Sequence, residues 1–419
     1  MASYTYRYCL YPNKEQDAFL SKSAGSVRFV YNYMLSKSKE NYQKSIKWNL
    51  YEYKKLLPEL KEQYPFLKEV NSQSLQQAVV NLNKAFKNFF AKKSDFPTFK
   101  KKKNGGAIYI PQHFRIEQDK LYIPKLNTPI KTRMHRPLKG DVKSITIRNT
   151  PSGKYYASIL VDKEIKQLKT CNSAVAIDVG IKSFATMAKT SLTDLQISHE
   201  KFDNLKLLRK TEKRLKRLQK QLSSKQYKTT KLDNTKASNN YKKCVLKVAK
   251  QSEKVANKRR DFLHKLSKTI IDENQVIVVE DLNIKGMLKN HHLAKSISDS
   301  GWDLFKNMLK YKAKWYGRTL IEIDRFFPSS KTCHVCGYKN TQLTLSDRYW
   351  ICPQCHTYHD RDCNASDMLL YEGLRIAGFS NLLGQELSEL TPVEIGSVDD
   401  RSQKLSKKHP IVEAGSSPF

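Results

Sequence analysis

The first hundred residues change from a strand-like to a helix-like spacing of apolar positions. Residues 2–10 alternate in the manner of a β-strand. Asn13, with Gln16 three positions later, predicts the N-cap of a helix. Between residues 13 and 94 apolar side chains recur at helical spacing, so we expect a mostly helical block. The clearest such series is Leu75, Val79, Leu82 and Phe86.

A second segment, residues 107–168, contains short alternating stretches separated by Pro, Gly and Asn. Those stretches include AIYI, KLYIP, VKSITIRN and KYYASILVD. Such alternation is typical of antiparallel strands, and the residues between the stretches are those that favour turns. We therefore expect a small β-domain that the helical block interrupts.

Strands and helices alternate in the next part of the chain, which indicates an α/β layer. Residues 174–178 predict a strand that ends near Asp178, and a tight turn leads to a second strand at 183–187. Residues 202–273 are rich in Lys, Arg, Leu and Gln and predict two long basic helices around a polar loop. The segment NQVIVVE then predicts a buried strand that ends at Glu280.

One more helix and one more strand precede a change of composition. The helix is predicted over residues 301–316 and the strand over Thr319–Asp324. From Thr391 onwards Ser, Pro, Gly, Asp and Lys follow one another without periodicity, so residues 391–419 are expected to form a disordered tail. The helix carries four residues on one face, Leu304, Met308, Tyr311 and Trp315.

Positive charge dominates the composition. Lysine and arginine number 76 against 40 acidic residues, which gives a formal net charge of +36. A charge of this sign and size favours a polyanionic partner, and nucleic acid is the first candidate. The 22 tyrosines and 17 phenylalanines could stack on unpaired bases, although most of them are expected in cores.

No membrane span or secretory leader is expected. No apolar run approaches the roughly 20 residues that cross a bilayer, and MASYTYRYCLYP lacks the parts of a signal peptide. Four of the eight cysteines form a pair of CxxC motifs and the others are scattered, which fits a reducing compartment with one metal site. We expect a cytoplasmic protein.

Three separated acidic residues are the candidate catalytic groups: Asp178 in AIDVGIKSFAT, Glu280 in VIVVEDLNIKGM and Asp362 in HDRDCNASDML. Asp178 and Glu280 follow apolar strands, where a charge is costly unless it meets a metal ion or a cation. Carboxylates from separate elements suit Mg²⁺, which prefers oxygen ligands. Two such ions, about 3.5–4 Å apart, can stabilise the attacking and leaving oxygens of a phosphodiester. The pattern predicts a metal-dependent nuclease.

Each acid also has a competing interpretation. Asp178 could simply begin a tight turn, because Asp is favoured at that position. Asp281 competes with Glu280, and Asp360 competes with Asp362 for the same role. Asp362 could also be the N-cap of the helix that starts just after it. The residues alone leave these alternatives open.

Four cysteines have the spacing of a zinc ribbon: Cys333, Cys336, Cys352 and Cys355. The two CxxC pairs are separated by 15 residues, 337 to 351, within the range of four-cysteine zinc sites. A site with four thiolate ligands is closed, so the expected role of one Zn²⁺ is structural. Possible substitute ligands are His334, His356 and His359.

Several longer strings resemble those of the OrfB/TnpB proteins carried by insertion sequences. Towards the C-terminus they are AIDVGIKSFAT, SISDSGWDLFKNMLKYKAKWYGR, FFPSSKTCHVCG and CPQCHTYHDRDCNAS. Towards the N-terminus they are YPNKEQ, RFVYNYML, KEVNSQSLQQAVVNLNKAFKNFF and FPTFKKK. The resemblance in order and spacing extends to about residue 390.

The resemblance implies a multidomain α+β protein related to the type V CRISPR effectors. A RuvC-like nuclease domain of the RNase H fold would comprise residues 171–328 and 357–390, with the zinc ribbon, 329–356, inserted in it. The catalytic acids would be Asp178, Glu280 and Asp362, because the third acid of the family is the second aspartate of HDRD. A small β-barrel wedge domain would comprise 1–12 and 104–170, and a helical recognition lobe 13–103.

The resemblance also implies contacts with DNA. The family requires a short motif beside its target, and the matching positions here are Tyr51, Ser72, Gln73 and Gln76. Their alternative interpretation is plain helix surface. The run Lys100, Lys101, Lys102 and Lys103 is either a solvated loop or a set of phosphate contacts. Ser366 and Asp367 depart from the usual family pattern, which affects the expected fine geometry beside the third acid.

The function implied is that of a magnesium-dependent, RNA-guided DNA endonuclease of a transposable element. Its partners would be a guide RNA from the transposon end and double-stranded target DNA, with no protein partner required. The host would be bacterial or archaeal, and the protein would associate with the nucleoid. Two alternatives stay open: a catalytically silent RNA-guided regulator, and a transposase that cuts and joins element ends.

Overall fold

The computed structural model describes residues 2–45, 49–102, 105–194, 196–203, 206–230, 238–291, 293–344 and 346–379. The chain divides into two compact units. The first comprises residues 1–168, 205–266 and 314–317, and the second comprises 169–204, 267–313 and 318–419. The predicted tail, 391–419, lies outside the described residues.

The helical block of the first unit agrees with the periodicity of its sequence. Its elements are α1 (Lys14–Gln43), α2 (Leu50–Gln63), a 3-10 helix (Pro65–Glu69) and α3 (Ser72–Phe90). The predicted N-cap of α1 is confirmed: the Gln16 backbone N–H donates to Asn13 Oδ1 at 2.8 Å, and the Asn13 N–H donates to Gln16 Oε1 at 3.0 Å. The predicted series on α3 is buried in the core of this block.

The same unit contains a seven-stranded sheet in the order β2-β6-β7-β1-β5-β4-β3. Its strands are β1 (Ala2–Tyr11), β2 (Ala107–Ile110), β3 (Arg115–Glu117), β4 (Lys120–Tyr122), β5 (Ile130–Arg133), β6 (Asp141–Asn149) and β7 (Tyr155–Lys163). All their pairings are antiparallel, as predicted. The first strand therefore pairs with strands that follow the helical block.

Two long helices with many basic residues lie further along the chain, as the composition predicted. They are α4 (Lys206–Thr230) and α5 (Asn239–Glu273). Within the first unit the Gln251 side-chain amide donates to the Thr211 carbonyl at 2.8 Å, which ties the two helices together. Glu253 of α5 accepts a hydrogen bond from the Tyr156 hydroxyl at 2.6 Å, which ties α5 to β7.

The second unit contains a five-stranded sheet in the order β10-β9-β8-β11-β12. Its strands are β8 (Ser173–Val179), β9 (Ser183–Ser191), β10 (Ser198–Asp203), β11 (Val276–Glu280) and β12 (Thr319–Ile323). Strands β10, β9 and β8 are antiparallel, whereas β8, β11 and β12 are parallel. The strand–turn–strand prediction and the strand ending at Glu280 are both confirmed.

The helices of the second unit are α6 (Ile284–Met287), α7 (Ala294–Ser300), α8 (Trp302–Tyr316, whose last turn belongs to the first unit) and α9 (Arg361–Ile376). The position of α8 was predicted, but its predicted apolar face was wrong in part. Leu304 is exposed, while Trp302, Phe305 and Leu309 are buried with Met308.

Helix α9 packs closely on the sheet. Its apolar residues join those of β8, β11 and β12 in one core. A Cβ atom added to Gly373 would lie 2.2 Å from Val278 Cγ2, so this approach requires glycine. A two-stranded ribbon of β13 (Tyr349–Ile351) and β14 (Tyr358–Asp360) precedes the helix.

The proposed limits of the wedge, recognition lobe, nuclease domain and ribbon stay predictions. In the described part of the chain, no helix is both long enough and apolar enough to cross a membrane.

Candidate active site and four-cysteine cluster

Asp178 and Glu280 lie at the same edge of the five-stranded sheet. The parallel pairing of β8 and β11 runs from Val276 beside Ala174 to Val279 beside Ile177. The next residues along the two strands are Asp178 and Glu280. Because the carboxyl ends of parallel strands meet at one edge, this register brings the two acids together. Both are partly buried.

Asp362 lies in the first turn of α9, two residues after the side chain that caps the helix. The cap is Asp360, whose Oδ1 accepts hydrogen bonds from the backbone N–H groups of Asp362 at 3.0 Å and Cys363 at 3.2 Å. The alternative that Asp362 is the N-cap is therefore wrong. Asp362 Oδ1 accepts a longer contact, 3.4 Å, from Arg348 Nη1.

Glu280 and Asp362 both act electrostatically on Asp178. Burial, and then the negative charges of Glu280 and Asp362, raise the pKa of Asp178 to about 8, against the opposing charge of Arg361. Burial and the charge of Asp281 raise the pKa of Glu280 to about 7. Like charges gathered in a partly buried site favour the protonated form, and a bound cation would favour the ionised form.

The competing acid Asp281 has both carboxylate oxygens occupied. Lys306 Nζ lies 2.6 Å from Oδ1, and Arg325 Nη2 lies 2.5 Å from Oδ2. The hydrogen bond from Lys306, followed by that from Arg325, lowers the pKa of Asp281 although burial opposes it. Lys306 also pairs with Glu322 at 2.6 Å. Asp281 thus belongs to an ion-pair network, whereas Glu280 forms no ion pair with any of the residues that the structure describes.

The predicted cysteine cluster is confirmed. The Sγ atoms of the four residues all lie within 4.8 Å of one another, and the residues are Cys333, Cys336, Cys352 and Cys355. Among the described residues no other group of three or more His, Cys, Asp or Glu side chains meets that distance.

The cluster fits a structural zinc site. Cys333 Sγ lies 3.6 Å from Cys355 Sγ, and Cys336 Sγ lies 3.5 Å from Cys352 Sγ. None of the four forms a disulfide. The Thr357 hydroxyl and backbone lower the pKa of Cys355 to about 6, whereas burial raises the pKa of Cys333 to about 12. Four thiols gathered at one point match the closed ligand set that Zn²⁺ takes in ribbons.

The three histidines near the cluster have different environments. His359 is buried, and its Nε2 lies 3.1 Å from Cys333 Sγ. The His334 backbone N–H donates to Asn364 Oδ1 at 3.0 Å, which joins the first CxxC turn to α9. His356 has a positive φ of 56° in the second turn.

The two residues that depart from the family pattern are accommodated on α9. Ser366 donates to the Cys363 carbonyl at 2.7 Å within the helix. Asp367 is buried and its Oδ1 lies 2.7 Å from His199 Nε2 of β10. His334 Nδ1 lies 3.7 Å from the other oxygen. Sequence reasoning missed this pair, because nothing in the sequence links His199 to Asp367.

The candidate DNA-motif residues do not lie at a single point. Tyr51 is 64% exposed in the first turn of α2. Ser72 opens α3, and its hydroxyl accepts a hydrogen bond from Lys61 in the last turn of α2 at 2.7 Å. Ten residues of helix, about 15 Å, separate Tyr51 from Lys61. Gln73 and Gln76 follow Ser72 on α3, where Gln76 is exposed.

The lysine run follows α3 as an exposed segment. Lys100, Lys101 and Lys102 are exposed, and Lys103 lies outside the described residues. The backbone of Lys100 is fixed by Asn32, which accepts from its N–H at 2.7 Å and donates to its carbonyl at 3.0 Å. Its ammonium group lies 4.9 Å from the centre of the Tyr31 ring.

One solved structure with a similar fold is that of a protein in complex with RNA and DNA. The chain aligns with a protein in the "Cryo-EM structure of the Cas12f1-sgRNA-target DNA complex" with a TM-score of 0.54 and 14% sequence identity. The alignment covers 85% of this chain and 83% of that one. The chain therefore has a Cas12f1-like fold of mixed α and β structure.

Family profiles match three segments of the chain. Residues 302–369 match the "Cas12f1-like, TNB domain". Residues 158–291 match the OrfB family of IS605, described as "Probable transposase". Residues 1–47 match a family described as "Helix-turn-helix domain", although their described part forms β1 and α1.

Curated relatives cover most of the chain. A protein of Streptomyces pristinaespiralis named "Putative RNA-guided DNA endonuclease" is 38% identical over 376 residues, 88% of this chain and 89% of that protein. The Escherichia coli K12 protein "Putative RNA-guided DNA endonuclease InsQ" is 30% identical over 389 residues, 88% of this chain and 92% of that protein. The chain belongs to the TnpB (OrfB) family of insertion-sequence proteins.

Proposed function

We propose that this protein is an RNA-guided DNA endonuclease of a transposable element. The observation that carries the proposal is the register of β8 and β11, which continues into Asp178 and Glu280, together with the electrostatic effect of Asp362 on Asp178. The names of the two long relatives support the same activity.

The three acids are proposed as the catalytic residues of a RuvC-like domain. Their carboxylates are hard oxygen donors. Burial, and then the negative charges of Glu280 and Asp362, raise the pKa of Asp178, and a bound cation would oppose both effects, so the donor set fits Mg²⁺. Two bound ions would supply Lewis-acid stabilisation of the attacking and leaving oxygens. Asp178, Glu280 and Asp362 would hold the ions, while Asp281 and Asp360 stay in their own ion pairs.

The first unit is proposed to hold the nucleic acids. Its antiparallel sheet would act as a barrel-like wedge and α1 to α3 as a recognition lobe for a guide RNA transcribed from the transposon end. The net charge of +36 supports a polyanionic partner. The target would be double-stranded DNA, and the host cytoplasm the place of action.

Recognition of a short motif beside the target is proposed for Tyr51, Ser72, Gln73 and Gln76. The side chain of Gln76 is exposed. A glutamine side chain can accept from and donate to an adenine edge. The lysines at 100–102 are proposed as phosphate contacts.

Cleavage of a matched plasmid tests the proposal. The protein is purified with its co-expressed RNA, and the wild type is compared with Asp178→Ala in Mg²⁺. We expect the wild type to linearise the plasmid and Asp178→Ala to leave it supercoiled. Asp261→Ala is the matched control, because Asp261 is an exposed acid on α5 paired with Lys265. The control should cut like the wild type.

Three outcomes distinguish the alternatives. Equal cutting by wild type and Asp178→Ala would overturn the catalytic assignment. Binding of matched DNA without cleavage in Mg²⁺ would identify a silent regulator. Strand-transfer products from donor DNA in the absence of RNA would identify a transposase.

A further inference from the structure

The two oxygens of Asp360 serve two different elements. Oδ1 accepts the backbone N–H groups of Asp362 and Cys363 and so caps α9. Oδ2 lies 2.7 Å from Lys201 Nζ on β10. Lys201 therefore contacts Asp360, and Asp360 in turn caps the first turn of α9. Asp362 lies in that turn, so the chain of contacts runs from the sheet edge to the proposed third acid.

Strand β10 contacts α9 at a second point. His199, two residues before Lys201, lies 2.7 Å from Asp367. Residues two apart on a strand share a face, and residues seven apart on a helix, such as 360 and 367, share one as well. Lys201 and His199 of the edge strand β10 therefore contact Asp360 and Asp367, which lie about two helical turns apart.

The electrostatic interaction between Lys201 and Asp360 favours a stable ion pair. Burial opposes the charge of Lys201, but its hydrogen bond to Asp360 raises the pKa of the lysine. Burial would raise the pKa of Asp360, but Lys201 and the N–H groups of the helix lower it. The 2.7 Å separation of Lys201 Nζ and Asp360 Oδ2 is that of a hydrogen-bonded ion pair. An ion pair with this exposure adds little stability by itself, which leaves position as its main effect.

We propose that Lys201 is a positioning residue of the nuclease site, acting through Asp360 on Asp362. The carboxylate that it orients has to meet a cation within a few tenths of an ångström, and residues that orient ligands affect metal affinity. The inference rests on the proposed function for its catalytic consequence. Its structural part, the fixing of the Asp362 amide, can be measured without catalysis.

The test compares Lys201→Met, Lys201→Arg and Lys189→Met in the full chain with its RNA. Lys189 is the matched control, because it lies on the neighbouring strand β9 and pairs with two acids, Glu200 and Glu273, outside the candidate site. Amide hydrogen exchange is followed at Asp362 and Cys363 without added Mg²⁺. The Mg²⁺ midpoint of plasmid cleavage and the affinity for matched DNA are measured separately.

We expect Lys201→Met to speed exchange at the two amides and to raise the Mg²⁺ midpoint about tenfold with unchanged DNA affinity. Lys201→Arg should keep the exchange rates and the Mg²⁺ midpoint close to those of the wild type, and Lys189→Met should change neither. Wild-type exchange rates and midpoint in Lys201→Met would overturn the inference. A wild type that cuts no DNA would refute the proposed function alone, because the exchange measurement would still decide the positioning.

A second variant guards against misfolding of the first. Asp360→Asn keeps the Oδ1 acceptor for the helix cap and removes the charge that Lys201 binds. If Lys201 acts through Asp360, the double variant Lys201→Met/Asp360→Asn should have the same Mg²⁺ midpoint as Lys201→Met alone or Asp360→Asn alone. Additive shifts would contradict the proposed route.

Discussion

Neighbouring acids in the same motif have different environments, and this difference separates the proposed ligands from their competitors. Asp281 and Asp360 each have both oxygens engaged, by Lys306 and Arg325 in one case and by Lys201 and the α9 amides in the other. The side chains that pair with them come from distant parts of the chain, so the sequence alone could not distinguish Glu280 from Asp281. The family resemblance favoured Asp362 over Asp360, and the capping geometry supplies a physical reason.

The raised pKa of Asp178 predicts an inverted dependence of stability on pH. Its ordinary value is 3.8 and its value in the fold is about 8, so the folded state binds the proton more tightly than the unfolded state. The stability that this group contributes is present at low pH and is lost as the pH rises through about 8. Without Mg²⁺ the folded protein should therefore lose stability between about pH 4 and pH 8 at this residue.

Asp178→Asn should remove that penalty. At pH 8.5 in Mg²⁺-free buffer with zinc retained, we expect the variant to be more stable than the wild type by at least about 1.4 kcal/mol, the equivalent of one pKa unit. Thermal denaturation followed by circular dichroism at several pH values measures it. Asp261→Asn, at an exposed site, should not differ from the wild type. A variant with wild-type stability at pH 8.5 would contradict the raised pKa.

At the scale of elements, positions were more predictable than faces and partners. Local periodicity located α3, β8 and β11 because each has one dominant apolar pattern. Helix α8 has apolar residues on more than one side, so its sequence permits Leu304 or Phe305 to face inward, and the neighbouring strands decide. The pairing of β8 with β11 was not predictable, because two long helices separate them in sequence and register depends on packing.

The contact of α9 with β11 predicts that Gly373→Ala destabilises the protein, whereas the same substitution at an uncrowded helical glycine stabilises it. In Gly373→Ala the new methyl would meet the buried Val278 at 2.2 Å, so we expect a loss of about 1–3 kcal/mol in unfolding free energy. In Gly25→Ala, within α1, the nearest atom is 3.8 Å away, so the better helix propensity should add about 0.5–1 kcal/mol. Urea denaturation of both variants tests the pair. Equal effects would refute the tight packing.

The ribbon should depend on its metal. Cys352 is buried in the cluster, so Cys352→Ser should lose the one equivalent of Zn²⁺ that we expect in the purified protein. Cys171→Ser is the control, because the Cys171 thiol contacts the Glu273 carbonyl and is not part of the cluster. Metal content by atomic absorption decides the matter. Full zinc occupancy in Cys352→Ser would show that the cluster binds the ion without Cys352, or that the ion binds at another site.

At the scale of the whole molecule, charge and family resemblance predicted the kind of partner but not the contact surface. The motif candidates were chosen by position in the sequence, and the fold distributes Tyr51 and Ser72 towards opposite ends of α2. A patch that spans about 15 Å could follow several base pairs, but no local pattern could have predicted that spacing. It depends on how α2 packs on α3, which is a tertiary property.

The net charge makes the strength of RNA binding a steep function of salt. A protein that neutralises six to ten phosphates loses roughly 10³–10⁵ in affinity between 50 and 200 mM salt. Replacing Lys100, Lys101 and Lys102 together by Ala should reduce the slope of log affinity against log salt by about 2, because each phosphate contact on a single strand adds about 0.7.

A triple variant of Lys37, Lys55 and Lys68 is the control for that slope, because each of these helical-block lysines already pairs with a nearby Glu. Filter binding of the RNA that copurifies with the protein, at several salt concentrations, gives both slopes. A smaller change in the Lys100–Lys102 variant than in the control would identify that run as a solvated loop. A larger change would establish it as a phosphate contact, since exposed lysines without a phosphate partner release no counterions when RNA binds.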